Sequence, residues 1–269
     1  MYHFRALDKV SLQQLAECFN LAFSDYEQPI CFTTESLEHY LTASAVNLSL
    51  SYGAFCNEQL IAVILNSVGV YMHQSVVFDA GTGVVPEHRN KKVFSALFEY
   101  TIQQLKRHNI ERYCLEVLQS NHHAVSIYSK KGFSVQREYS VLTASGPGQG
   151  WNNHIAVIPY QDFTSFSTRF SVEPSFEHTS YTINQNPQLF EVLYLNDQAY
   201  CIYAKRHGEI IQMHYNELDA LKDVVSALIN RYPSAMAKNI DCACCDVIQM
   251  LIDIGFVEIT KQYEMARTI

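Results

Sequence analysis

Along the first half of the chain, apolar positions switch between strand-like and helical periods. Residues 2–7 read as a short strand, and residues 11–26 then place Leu12, Leu15, Phe19 and Phe23 at helical spacing behind Ser11, a good N-cap. Thr33 or Thr34 can cap a second helix to about Ala45, with Leu37, Tyr40 and Leu41 on one face. Residues 51–56 and 59–71, rich in Ile, Val, Leu and Tyr, flank Asn57-Glu58 as a hairpin. A third strand, 74–86, carries Gly81 and Gly83, and glycine inside a strand often marks a bulge or the close approach of another backbone or a ligand.

The pattern continues with a helix over 92–108, whose stripe is Val93, Ala96, Leu97, Tyr100 and Leu105. A buried-type strand at 112–118, a short helix at 122–131 closed by Gly132, and a last strand at 134–142 follow. The order β, α, α, three antiparallel strands, α, β, α, β predicts an α/β (α+β) fold. Its strand, helix, strand unit predicts one parallel pair with a right-handed crossover.

Beyond this set lies SGPGQG, residues 145–150, a Gly and Pro cluster of the linker kind. The expected organisation is therefore a domain over 1–145, a linker over 146–150 and a second domain over 151–269. In the second half, strands at 198–204 and 209–214, a helix at 216–230, a strand near 235–240, a helix near 246–254 and a strand at 257–265 repeat the order that ends the first half. Anchoring the halves on Gly132-Phe133 and Gly255-Phe256 makes the later elements coincide without gaps, which suggests two copies of one fold.

The length, 269 residues, suits two cores, and 48% apolar with 17% charged residues is a globular composition. A formal charge of −8 argues against a nucleic-acid partner and suits cationic or amine-bearing substrates, although solubility alone accounts for such a balance. Eight scattered cysteines in a chain of this size point to a reducing compartment. Cys242 and Cys245 have C-x-x-C spacing but supply only half of a zinc site, so no metal is expected. Apolar stretches such as 60–65 fall far short of the ~18 residues that cross a bilayer, so the expected location is cytoplasmic, without a membrane partner.

The chemistry concentrates between Gly81 and Phe133. GTGVVPEHR, residues 81–89, ends a strand and leads into a helix, whose first-turn amides form an anion site suited to phosphate. Val84, Val85, Pro86 and Arg89 here resemble the Gcn5-related N-acetyltransferase (GNAT) superfamily: an apolar strand end, Pro, a variable pair, Arg or Gln, two more residues, Gly, one residue, and Gly or Ala. Lys92 and Phe94 depart from that pattern by standing where the family has its small residues. A second motif, Asn121-x-x-Ala124-x-x-x-Tyr128-x-x-x-Gly132-Phe133 after the strand CLEVL, matches the superfamily at each named position.

The resemblance implies two GNAT-like domains, each a mixed, mostly antiparallel sheet with a central splayed parallel pair flanked by helices. It also implies acetyl-CoA as co-substrate and a small-molecule or peptide amine as acceptor, with a homodimer as a further candidate partnership. Arg89, Asn90, Lys91, Lys92, Val93 and Phe94 would surround the pyrophosphate. Gly83, Val84 and Val85 would offer backbone groups to pantetheine, Asn121 would bind its amide region, and Tyr128 would sit near the thioester sulfur. A phenol of pKa ~10 is matched closely enough to a thiol of ~8.5 to protonate the departing thiolate. The acceptor amine must lose a proton, and Asp79 and Glu116, on neighbouring strands, are the candidate bases.

Other residues invite blander readings. Tyr128 could be a packed core tyrosine, Cys31 is an ordinary thiol with no His and Asp partner in view, and His122 and His123 suit a surface helix start. In the C-terminal copy Leu251 falls opposite Tyr128 and Cys244 opposite Asn121, so that copy reads as degenerate, shaping the acceptor site or an interface. The rival to an enzyme is an inactive CoA-binding or interaction module, suggested by Lys92 and Phe94; a third reading keeps catalysis with a longer acyl-CoA.

Overall fold

The computed structural model describes residues 2–25, 31–146, 154–163 and 171–269. Two compact units emerge, one of Met1–Leu115 with Ala266–Ile269 and one of Glu116–Met265.

In the first unit β1 (His3–Ala6) leads into α1 (Leu12–Ala22) and α2 (Thr34–Ala43). The Ser11 hydroxyl accepts from the Gln14 N–H at 3.2 Å, which starts α1 where the pattern places it. Thr33 is the cap of α2, in a capping box with Ser36. Three antiparallel strands follow, β2 (Tyr52–Cys56), β3 (Gln59–Tyr71) and β4 (Gln74–Val84). Their turns need left-handed backbone at two successive residues, Asn57 and Glu58 (φ 49° and 64°) and then Met72 and His73 (φ 48° and 63°), the twist that suits two-residue hairpins. α3 (Val93–Lys106) crosses over to β5 (Arg112–Leu118), and the sheet order is β1-β2-β3-β4-β5.

Helices α1 and α3 both pack on β3. Leu15 and Phe19 from α1, Leu97, Phe98 and Leu105 from α3, and Ile61, Ile64 and Leu65 from β3 are all buried. At roughly 1.5–3 kcal/mol for each such side chain removed from water, this apolar contact is the main stabilising term.

The second unit contains α4 (His122–Lys130), β6 (Ser134–Ala144), β7 (Ala156–Pro159), a single turn α5 (Ser180–Ile183), β8 (Phe190–Leu195), β9 (Ala199–Ala204) and β10 (Glu209–Tyr215). It closes with α6 (Leu218–Arg231), β11 (Met236–Asp241), α7 (Cys245–Asp253) and β12 (Phe256–Thr268), in the sheet order β12-β6-β11-β10-β9-β8-β7. Its core is built on Leu221, Val224, Val225 and Leu228 of α6 and the apolar residues of β8 to β11. Among the described residues no helix is long and apolar enough to cross a membrane.

The division differs from the expected domains. It falls at Leu115 rather than at the 146–150 linker, of which only Gly146 belongs to the described residues. The strand expected to close the first domain, β6, instead pairs antiparallel with β11, Thr143 opposite Met236 and Tyr139 opposite Asp241. The physical reason is that an alternating strand specifies which face it buries but not which neighbour it pairs with.

The repeat reappears as matching backbone geometry. Asn121 caps α4 at φ −82°, ψ 65°, and Cys244 caps α7 at φ −86°, ψ 59°. Gly132 and Gly255 both end their helices with positive φ, 85° and 104°. Each unit contains one short parallel ladder, β4 with β5 over three pairs and β10 with β11 over two.

Candidate functional site

The parallel ladder of the first unit ends at Phe78 and Cys114, while β4 continues to Val84 paired with β3. A bulge breaks β4 there: Asp79 pairs with Asn66 and Gly81 with Leu65, leaving Ala80 as the extra residue. Asp79 holds this bulge, since its carboxylate accepts from the Gly81 N–H at 3.0 Å and the Thr82 hydroxyl at 2.7 Å. The Tyr40 hydroxyl donates to the Ala80 carbonyl. Asp79 is thus committed to backbone shape, which weakens its case as a base.

The two glycines of β4 serve packing. A Cβ on Gly81 would meet the Phe19 ring at 3.0 Å, and one on Gly83 would meet Ala22 at 2.8 Å and Phe23 at 2.9 Å. What approaches them is a set of side chains at the end of α1 and just past it. The Val85 N–H donates to the Ile61 carbonyl at 3.0 Å, so Val85 and, by strand alternation, Gly83 turn their peptide groups toward β3. Of the three residues expected to line pantetheine, Val84 alone directs its own N–H to the other edge.

Arg89 also departs from expectation. Its guanidinium grips Asp25 at 2.5 and 2.9 Å, and it donates to the Ala22 carbonyl at 2.8 Å and the Val84 carbonyl at 3.0 Å. The Arg89 hydrogen bond holds the Asp25 carboxyl below its ordinary range. This side chain ties the end of α1 to the end of β4 and is committed before any phosphate arrives.

After Arg89, Asn90 (φ 59°) and Lys92 (φ 60°) both adopt left-handed backbone, and α3 begins at Val93. Lys92 therefore takes the conformation that the family's glycine would supply. It caps α3 without a side-chain hydrogen bond. Lys91 and Lys92 are exposed beside the first-turn amides of α3, and the Phe94 ring turns along the helix to pack 5.7 Å from Phe98.

In the second unit, the Asn121 Oδ1 accepts from the Ala124 N–H at 3.1 Å, and its NH2 has no partner among the described residues. Tyr128 is half-buried on α4, its ring edge-on to Phe133 at 5.5 Å, so it is no core residue. His122, His123 and Cys31 are exposed. The Cys245 thiol lies 3.3 Å from the Cys242 carbonyl, and all eight cysteines are free. Among the described residues no group of His, Cys, Asp or Glu is arranged to hold a metal ion.

Glu116 sits in a cluster that the sequence did not reveal. Its Oε2 accepts from Asn239 at 2.7 Å, while Oε1 is out of solvent with no hydrogen-bond partner. Burial, with the nearby Glu177 charge, raises its pKa to about 7, against the opposing pull of Lys238, His178 and the Asn239 hydrogen bond. Lys238 pairs with Glu177 at 2.6 Å, and Glu209 meets His178 at 3.4 Å and His207 at 3.0 Å. A lysine in the middle of the strand MAKNID was the signal that could have pointed here.

Residues 3–136 match the sequence model of a family described as an acetyltransferase (GNAT) domain. Among solved structures, the chain is similar to a candidate acetyltransferase from Pyrococcus horikoshii (10% identity, TM-score 0.72), covering 100% of this chain and 89% of that one. It is also similar to a GCN5-related N-acetyltransferase from Sphaerobacter thermophilus (11%, TM-score 0.67; 99% and 95% covered). A tandem GNAT protein from the clavulanic acid biosynthesis pathway matches along both chains (9%, TM-score 0.68; 100% and 98% covered). No curated protein matches the chain.

Proposed function

Since the chain belongs to the GNAT acetyltransferase superfamily and has the fold of its tandem members, we propose that it transfers an acetyl group from acetyl-CoA to an amine, of a small molecule or a peptide, by direct attack. One observation supports the cofactor part of this reading: Lys92 at φ 60° keeps the turn into α3 in its glycine-like form although the family's small residues are missing. The first-turn amides of α3, with Lys91 and Lys92, take the pyrophosphate. The Val84 N–H is the donor that the first unit offers to the pantetheine arm.

Glu116 and Tyr128 divide the proton work. A carboxylate with a pKa of about 7 is poised to take one proton from the acceptor ammonium near neutral pH. The neutral nitrogen then attacks the thioester carbon; the C–N bond forms, the C–S bond breaks, and the sulfur takes the Tyr128 phenol proton. The nitrogen loses its second proton as the amide forms, Tyr128 is restored from solvent, and one proton is released per transfer. Positioning of the amine supplies much of the remaining rate. No metal enters this scheme, and a cytoplasmic setting fits the eight free thiols. The second copy, with Leu251 opposite Tyr128, shapes the acceptor side.

The test uses the full chain. Calorimetry with acetyl-CoA should show saturable binding, and thiol release should rise with at least one member of a panel of amines and peptides. Binding without release across a broad panel favours the inactive module; neither binding nor release sinks the cofactor assignment.

A further inference from the structure

Asn239 occupies an unusual place. A bulge in β11 between Ala237 and Ile240 leaves it in left-handed backbone at φ 58°, although it is not glycine and is almost wholly buried. Backbone of this kind persists only where surrounding contacts over-determine it. Here they do: the Asn239 Oδ1 accepts from Gln262 at 2.8 Å, and its Nδ2 donates to Glu116 at 2.7 Å and to the Ser175 hydroxyl at 3.2 Å. Because an ionised carboxylate can only accept, the amide presents its NH2 to Glu116 and leaves its Oδ1 for a donor from Gln262. The orientation is fixed by the network.

We propose that Asn239 is a positioning residue for Glu116, its amide holding Oε2 so that the orphaned Oε1 is the oxygen left to receive a proton. The inference rests on the reading of Glu116 as the base. A donor to the carboxylate favours its ionised form and fixes its plane, while the buried Oε1 keeps an open valence that an acceptor N–H can fill. The other charged groups near Glu116 are already engaged: Glu177 with Lys238, and His178 with Glu209. Asn239 lies in the C-terminal copy, so this assigns that copy a task in the chemistry of the N-terminal one.

The experiment is a pH titration of the full chain carrying 13C-carboxyl glutamate, with Glu116→Gln to assign the resonance. The parent should titrate near neutrality. Asn239→Gly, which accepts the left-handed backbone, should move the midpoint up by ~1 unit as one charge-assisted hydrogen bond is lost. Gln262→Leu, which frees the amide to flip, should move it in the same direction by less. An unchanged midpoint in either variant, shown by circular dichroism to be folded, overturns the proposal. Thiol release from acetyl-CoA with a panel of primary amines, followed against pH, separates the two ideas. A titration that moves without the acid limb of the rate profile retains the positioning contact and rejects Glu116 as base.

Discussion

Glu116 and Asn239, joined by a 2.7 Å hydrogen bond, stand 123 positions apart in the chain. Gly132 and Gly255 are separated by the same interval, so the two bonded residues are counterparts in the duplicated sequence. At the matched positions one copy carries a carboxylate and the other an amide, and the two side chains are hydrogen-bonded to each other. The position of Tyr128 diverged differently: it is half-buried in the first copy, whereas its counterpart Leu251 is fully buried in the core of the second.

Replacing Tyr128 with Phe keeps the ring against Phe133 and removes only the proton donor. Turnover should fall by ~10²- to 10⁴-fold with acetyl-CoA affinity little changed. Steady-state kinetics, calorimetry and the thermal midpoint, measured together, check it. Unchanged turnover would make solvent the proton source.

The raised pKa of Glu116 has a consequence for stability. Folded chain binds this proton more tightly than unfolded chain, so the contribution is complete below about 4.5 and is lost as pH rises through about 7. Glu177 and Glu209, although burial opposes it, are held below their ordinary values by Lys238 and by His178 with His207, and their contributions are lost as pH falls. Glu116→Gln should therefore flatten the decline in thermal stability between pH 5 and pH 8, by on the order of 1–3 kcal/mol. Thermal midpoints of both proteins across that range decide it, and identical slopes count against the raised pKa.

Lys92→Gly removes the cost of left-handed backbone on a side chain, φ 60°. The protein should be stabilised by up to about 1 kcal/mol, offset in part by the entropy of glycine in the unfolded chain. Denaturant titration measures it. A loss of more than that would mean the Lys92 side chain holds the turn.

Gly83→Ala should destabilise by about 1–3 kcal/mol, because the added methyl meets Ala22 and Phe23 inside 3.0 Å. Chemical denaturation gives the value. A neutral result would show that α1 shifts easily away from β4.

Much of the first half was legible because its signals are local. Ser11 and Thr33 cap their helices, Asn57-Glu58 turns a hairpin, and Arg112–Leu118 has the predicted limits. The helix that carries Tyr128 was legible for the same reason, with Asn121 as its cap and Gly132 just past its end. What escaped was assembly across sequence. β8, with its largely apolar FEVLYL, was readable yet went unassigned, and α5 and β7 are too short to show a period. The Glu116 cluster draws on residues 116, 175–178, 209 and 238–239, and no pattern along the chain announces that four segments meet. The pattern gave the position of Arg89 but not Asp25, its partner 64 residues away.

The last described residues belong to the first unit, where the Ile269 N–H donates to the Glu111 carbonyl and Arg267 lies over Phe98. During synthesis the unit that begins at the amino terminus therefore gains the contacts of residues 266–269 last. Some 150 residues of intervening chain separate Leu115 from its completing segment, a loop long enough to make closure a slow, late event. Until then the nascent first half presents an unfinished surface to chaperones.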